Sequence, residues 1–68
     1  MNEYLLDALV KKLEGEIAVH KANIQVYMDN PAGIGEHPQI LQAIESEVAA
    51  LAEAIEKRTT IKVDLLGE

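Results

Sequence analysis

The sequence predicts an all-α fold, an antiparallel helix-turn-helix hairpin that pairs with a second copy into a four-helix bundle. Apolar residues recur at alternating spacings of four and three in both halves of the chain, as they do along one face of a helix. Both prolines and two of the four glycines lie together between the halves, where they predict a turn. The first half also carries a second apolar stripe, which a single neighbouring helix would leave uncovered. The 68 residues are expected to form one domain, 1–68.

The first helix is expected over about residues 3–29. One side of it carries an inner seam, spaced four and three apart for six consecutive steps and formed by Leu6, Val10, Leu13, Ile17, His20, Ile24 and Tyr27. This spacing keeps the side chains on one face, so we expect the inner seam to pack against the second helix.

A second apolar stripe, which we call the outer stripe, lies beside the inner seam and is formed by Leu5, Leu9, Val19 and Val26. A hairpin gives the first helix only one neighbour, so the outer stripe predicts a homo-oligomer, with a dimer as its simplest form. Gly15, in the middle of this helix, costs about 1 kcal/mol relative to alanine. It is either a tolerated exposed glycine or a point where another helix approaches closely.

The turn is expected over residues 30–37. Asn30 tolerates the left-handed conformation that ends a helix, and Pro31 disfavours α geometry in the residue before it. Pro38 has a fixed φ angle that suits the first turn of a new helix. The residues assigned to the turn and its edges are Asn30, Pro31, Gly33, Ile34, Gly35, His37 and Pro38.

The second helix is expected over about residues 38–66. Its apolar face is predicted to contain Leu41, Ile44, Val48, Leu51 and Ile55, beyond which charged residues interrupt the spacing. The predicted core inside the hairpin is therefore Leu6, Val10, Leu13, Ile17, Ile24, Leu41, Ile44, Val48, Leu51 and Ile55.

Residues 59–66 admit two interpretations. Ile61, Val63 and Leu65 alternate with polar residues, as in a half-buried strand. A continuing helix ended by Gly67 is favoured, because no turn residue separates this segment from the helix before it and a single strand would lack a partner. The sequence alone leaves both open.

Composition limits the class of protein. Twelve acidic and six basic residues give a net charge of −6, which disfavours a nucleic-acid partner. The absence of cysteine excludes disulfides and thiolate metal sites, so a chain this short is expected to gain buried surface by association. No signal peptide and no membrane-spanning segment are expected, which predicts a cytoplasmic location without membrane binding.

Candidate catalytic and metal sites are weak. Glu16 and His20 lie four residues apart, whereas carboxylate-bridged di-iron bundles use Glu-x-x-His, spaced three apart. Gly33 and Gly35 are followed by Glu36 and His37, where a phosphate-binding loop needs Lys and Ser or Thr. We therefore expect no enzyme, no cofactor and no metal, with His20 as a packing residue and His37 as a turn residue.

Residues 30–41 carry a resemblance. The stretch Asn-Pro-Ala-Gly-Ile-Gly-Glu-His-Pro-Gln-Ile-Leu, followed by an acidic patterned helix, resembles a group of very small proteins of marine tailed phages, cyanophages among them. Their Gly-Ile-Gly-Glu-His-Pro turn recurs and the following helix continues to the end, although the tail around residues 59–63 departs from that pattern. The resemblance implies a viral source and a helical hairpin; the group has no established function, and no site residues are carried over.

Together these features predict a non-enzymatic accessory protein that self-associates through its helices and binds a protein partner, for example a host enzyme or regulator in the host-cell cytoplasm. The alternative is a virion component that lies on capsid or tail subunits. A metal-dependent enzyme is the least favoured interpretation.

Overall fold

The computed structural model is a hairpin of two long helices packed side by side. It describes residues 3–29 and 37–68, with the backbone alone for residues 37 and 38. Helix α1 spans Glu3–Asp29, helix α2 spans His37–Thr59, and a π-helical segment, Thr60–Leu65, continues α2. The hairpin measures 51 × 15 × 14 Å, and its described residues contain no strand. The predicted all-α hairpin is confirmed.

Helix α1 buries the inner seam as the sequence predicts. Val10, Leu13 and Ile17 are buried at its centre. The remaining seam residues are half-buried along the same line, namely Leu6, His20, Ile24 and Tyr27. The four-and-three spacing continues without a break over this helix. A single orientation of the helix therefore turns all seven residues of the inner seam toward α2.

Helix α2 faces inward with a set of residues that only partly matches the predicted one. Leu41 is 67 % exposed and Val48 is 48 % exposed, so the prediction that they belong to the core is wrong. Ile44 and Leu51 are half-buried, as is Ile55 at the edge of the core. The inward face of α2 also follows a four-and-three spacing and consists of Ile40, Ile44, Glu47, Leu51, Ala54, Arg58 and Ile61.

Two contacts favour this rotation of α2. Glu47 points toward α1 and bonds to His20 and Asn23 there, which an outward position would not permit. Ala54 is buried against the core, and its small side chain lets the two helices approach closely. Leu41 and Val48 consequently turn onto one flank of the hairpin.

Residues 59–66 continue the helix, so the favoured interpretation is confirmed and the strand is not formed. The segment has π geometry, with the amide of Leu66 donating to the carbonyl of Ile61 at 2.9 Å, five residues back. Gly67 ends it with a φ of +73°, a conformation that glycine adopts without strain. The amide of Glu68 then donates to the carbonyl of Lys62 at 2.8 Å, which satisfies one of the final carbonyl groups.

The main core occupies the half of the hairpin that lies away from the turn. Buried Val10, Leu13, Ile17, Ala54 and Ile61 form one cluster there. Leu6, Leu51, Ile55 and Leu66 pack against its edges. The wider π turn brings Leu66 back over the core beside Ile61, because these residues are one π turn apart.

Most of the residues predicted to form the turn lie outside the described residues. Asn30, Pro31, Gly33, Ile34 and Gly35 lie outside the described residues. Helix α2 begins at His37, which places the backbone of Pro38 in the first turn, one residue later in the helix than predicted.

Candidate functional site

The outer stripe of α1 is uncovered in the hairpin. Its four residues are between 41 % and 61 % exposed, with Leu9 the least and Leu5 the most. Leu5, Val19 and Val26 are separated by multiples of seven residues and so lie along one side of the helix, about a quarter turn from the inner seam. Helix α2 covers the inner seam only. The predicted location of an apolar surface is therefore seen, whereas its association with another copy stays a prediction.

Two charged residues interrupt the outer stripe, and they pair with each other. The ammonium of Lys12 lies 2.9 Å from Oε2 of Glu16, one helical turn away. This hydrogen bond and the positive charge of Lys12 lower the pKa of Glu16 below its ordinary value. The outer stripe thus carries a neutral ion pair at its middle, flanked by Leu5 and Leu9 on one side and by Val19 and Val26 on the other.

A groove of about 620 Å³ lies beside the outer stripe, between α1 and the C-terminal part of the hairpin. Leu9, Leu13 and Ile61 contribute its apolar surface. The Lys12–Glu16 pair stands on one side of it, and Glu53 and Lys57 of α2 stand on the other.

The α2 side of the groove carries one ion pair and the further carboxylate of Glu56. The ammonium of Lys57 lies 2.9 Å from Oε1 of Glu53, and this bond raises the pKa of Lys57 above its ordinary value. Each side of the groove therefore carries an ion pair, in a chain with a net charge of −6. On the α1 side of the groove both charges are paired, so this side can meet a second apolar surface without presenting an unpaired charge.

A polar bridge joins the helices between the core and the turn. Nδ1 of His20 lies 2.9 Å from Oε2 of Glu47, and Nδ2 of Asn23 donates to Oε1 of Glu47 at 2.7 Å. Hydrogen bonds from His20 and then from Asn23 lower the pKa of the half-buried Glu47 carboxyl. Both oxygens of the carboxylate are satisfied, so the bridge fixes the register of α2 against α1.

The bridge differs from the pairing that the sequence suggested. Glu16 and His20, considered together as a possible metal pair, bond to Lys12 and Glu47 respectively. Glu47 was missed as an inward residue because apolar Val48 beside it matched the expected spacing. In the described part of the chain, no three His, Asp or Glu side chains cluster in a way that could hold a metal ion.

The bridge should make the hairpin sensitive to acid. Because the pKa of Glu47 is lower in the folded chain than its ordinary value of 4.5, ionised Glu47 stabilises the fold above that value, and this contribution is lost as the pH falls through the folded pKa. We expect Glu47→Gln to weaken the dependence of the melting temperature on pH below about pH 5. Circular dichroism melts between pH 3 and pH 7 measure this, with exposed Glu56→Gln as the control. An acid dependence equal to that of the wild type in Glu47→Gln would contradict the role of the bridge.

The fold and the surface define a class: a small all-α hairpin with one uncovered apolar side on its first helix. In comparisons with family models, curated proteins and solved structures, nothing matches this chain. Within the described residues, neither helix has a stretch long and apolar enough to cross a membrane.

Proposed function

We propose that this chain is a small non-enzymatic accessory protein that self-associates through α1 and binds a protein partner in the cytoplasm. The observation that carries the proposal is the alignment of four exposed apolar residues, those of the outer stripe, along the side of α1 next to the groove. Large contiguous apolar patches on protein surfaces mark interaction sites, and the outer stripe extends along α1 from Leu5 to Val26.

The small core supports self-association. The main cluster contains five buried residues, one of them alanine, and no aromatic residue. Chains below roughly 70–80 residues commonly need disulfides, metals or association to be stable, and this chain contains no cysteine. Covering the outer stripe would add apolar burial at the place where α1 has no neighbour.

A second exposed surface supports the binding of a partner. Leu41 and Val48 are exposed on the flank of α2 that also carries Lys62. Lys62 lies near Asp7 and Glu14 of α1, on the side of the hairpin away from the outer stripe. Self-association through the outer stripe would therefore leave this flank free. The acidic surface of the chain favours a partner with a basic surface. By its resemblance to the small phage proteins, the partner is proposed to be a host enzyme or regulator.

His20, the described side chain best suited to act as a general base, bonds between the two helices instead. The ring of His20 bonds to Glu47 on the other helix, and both residues are less than a quarter exposed. A general base needs a nucleophile and an orienting group within hydrogen-bond reach. Near His20 the described residues place Glu47, which bonds to its ring, and Glu16, Glu53 and Lys57, none of which is a nucleophile of the serine or cysteine type. This supports the non-enzymatic proposal.

The dependence of thermal stability on concentration tests self-association. A partner that binds only the folded chain raises the melting temperature as the concentration rises. We therefore expect the melting temperature of the wild-type chain to increase over a hundredfold concentration range, as followed by circular dichroism. A melting temperature that stays constant over that range would contradict the proposal.

A further inference from the structure

We propose that a second copy of this chain covers the outer stripe by pairing the two α1 helices antiparallel, about a two-fold axis between Gly15 and Glu16. This inference rests on the proposed self-association and specifies its interface. Each α1 then packs against its own α2 through the inner seam and against the partner's α1 through the outer stripe. The result is a four-helix bundle.

The elongated hairpin exposes more surface than a compact monomer of its mass does. The chain exposes 5024 Å² for a mass of 7.5 kDa. A compact monomer of this mass exposes about 4,250 Å², so the hairpin has an excess of about 800 Å². One partner in an interface of standard size buries about 800 Å². The excess is of the same order as the area that a second copy would cover in an interface of standard size.

The outer stripe is self-complementary about the proposed axis. In a two-fold interface the same surface faces itself, so residue i of one helix meets residue 31 − i of its partner. Leu5 then meets Val26, Leu9 meets Ala22, and Lys12 meets Val19, each of them twice. The aliphatic stem of Lys12 packs on Val19 while its ammonium remains beside Glu16. The two Glu16 carboxylates lie next to each other beside the axis, where each one bonds to the ammonium of its own Lys12.

Gly15 fits a close approach at the axis. An added Cβ at Gly15 would meet nothing within 4 Å in the hairpin, so nothing in the single chain requires a glycine there. Ala8 and Ala22 lie seven residues to either side of it, on the same side of the helix and next to the outer stripe. Three small residues in a line let a second helix approach along the stripe.

In the proposed dimer the groove lies next to an apolar residue of the second copy. Val19 of the second copy lies level with Lys12, which borders the groove, and close to the apolar surface made by Leu9, Leu13 and Ile61. Two ion pairs stand beside the groove, and the carboxylate of Glu56 also borders it on the α2 side. The groove and the outer stripe thus form one continuous surface.

Cysteine pairing tests this arrangement directly, because the natural chain contains no cysteine. Lys12→Cys and Val19→Cys are prepared separately, checked for helicity by circular dichroism and for mass under reducing conditions, and then oxidised mildly alone and mixed. We expect a disulfide-linked dimer only in the mixture. Identical cysteines lie about 10 Å apart along the bundle, seven residues at 1.5 Å each, which is too far for a disulfide. A second pair, Leu5→Cys with Val26→Cys, should behave in the same way.

The controls separate this inference from the proposed function. Ala49→Cys, on an exposed side of α2, should not cross-link when it is mixed with Val19→Cys. A dimer by mass in which neither mixture cross-links, or in which Val19→Cys cross-links alone, would overturn the antiparallel pairing and leave self-association standing. A single-chain mass for the wild type at every concentration would overturn both.

Discussion

Leu13→Asp should abolish folding of the hairpin. Leu13 is only 4 % exposed and lies at the centre of the main core, between Val10 and Ile17 on α1 and Ala54 on α2. Removing a buried leucine side chain costs about 2–5 kcal/mol, and the aspartate adds a buried charge without a partner. Because small domains have only about 5–15 kcal/mol of total stability, the variant is expected to lose its helical circular dichroism signal.

Leu41→Asp is the matched control for that variant. Both substitutions replace leucine with aspartate, and hydrophobic spacing alone predicts that Leu13 of α1 and Leu41 of α2 both lie in the core. In the structure Leu41 is exposed, so Leu41→Asp should keep the helical content of the wild type. A helical Leu13→Asp variant would contradict the inner seam, and an unfolded Leu41→Asp variant would contradict the rotation of α2.

Val26→Glu should convert the proposed dimer into a monomer without unfolding the hairpin. Val26 is exposed in the single chain, so its own hairpin tolerates a carboxylate there. In the proposed bundle the same carboxylate is pressed against Leu5 of the partner subunit, at two symmetric places. At about 2 kcal/mol for each desolvated charge, the dimer dissociates about a thousandfold more readily. Light scattering and circular dichroism on the same samples measure mass and helicity.

The control for that variant is Val48→Glu. Val48 has a similar exposure and residue type but lies on the flank of α2 away from the outer stripe. It should leave both the mass and the helicity unchanged. If Val26→Glu kept the dimer mass, or if Val48→Glu lost it, the interface would lie elsewhere on the molecule.

The sequence predicted α1 well and α2 less well, for a physical reason. In α1 the apolar residues offer one continuous seam, so hydrophobic spacing alone determines the rotation of the helix. In α2 the spacing allows two rotations of the helix. One places Leu41 and Val48 inward, and the other places their neighbours Ile40 and Glu47 there. The hydrogen bonds of Glu47 to His20 and Asn23 on the other helix favour the rotation of α2 that is observed. A pattern within one helix contains no information about such a bond.

The π-helical segment also lay beyond sequence reasoning. The end of the helix at Gly67 follows from local conformational preference, and it was predicted. The change from α to π hydrogen bonding has no comparable local signal. It brings Leu66 onto the core beside Ile61, so it accompanies tertiary packing that the segment alone does not specify.

The candidate site was partly predictable for a similar reason. The spacing of Leu5, Leu9, Val19 and Val26 indicated an apolar surface that one hairpin would leave open. The groove beside it could not be foreseen, because it is bounded by both α1 and residues near the end of the hairpin, including Ile61. Its position depends on the rotation of α2.

The solution mass of the wild-type chain, measured by light scattering over a series of concentrations, tests the central claim most directly. The account predicts a stable mass of twice the 7.5 kDa of one chain, falling toward one chain only on strong dilution. A mass of 7.5 kDa at every concentration would show that the outer stripe does not bind a second copy, and it would contradict self-association.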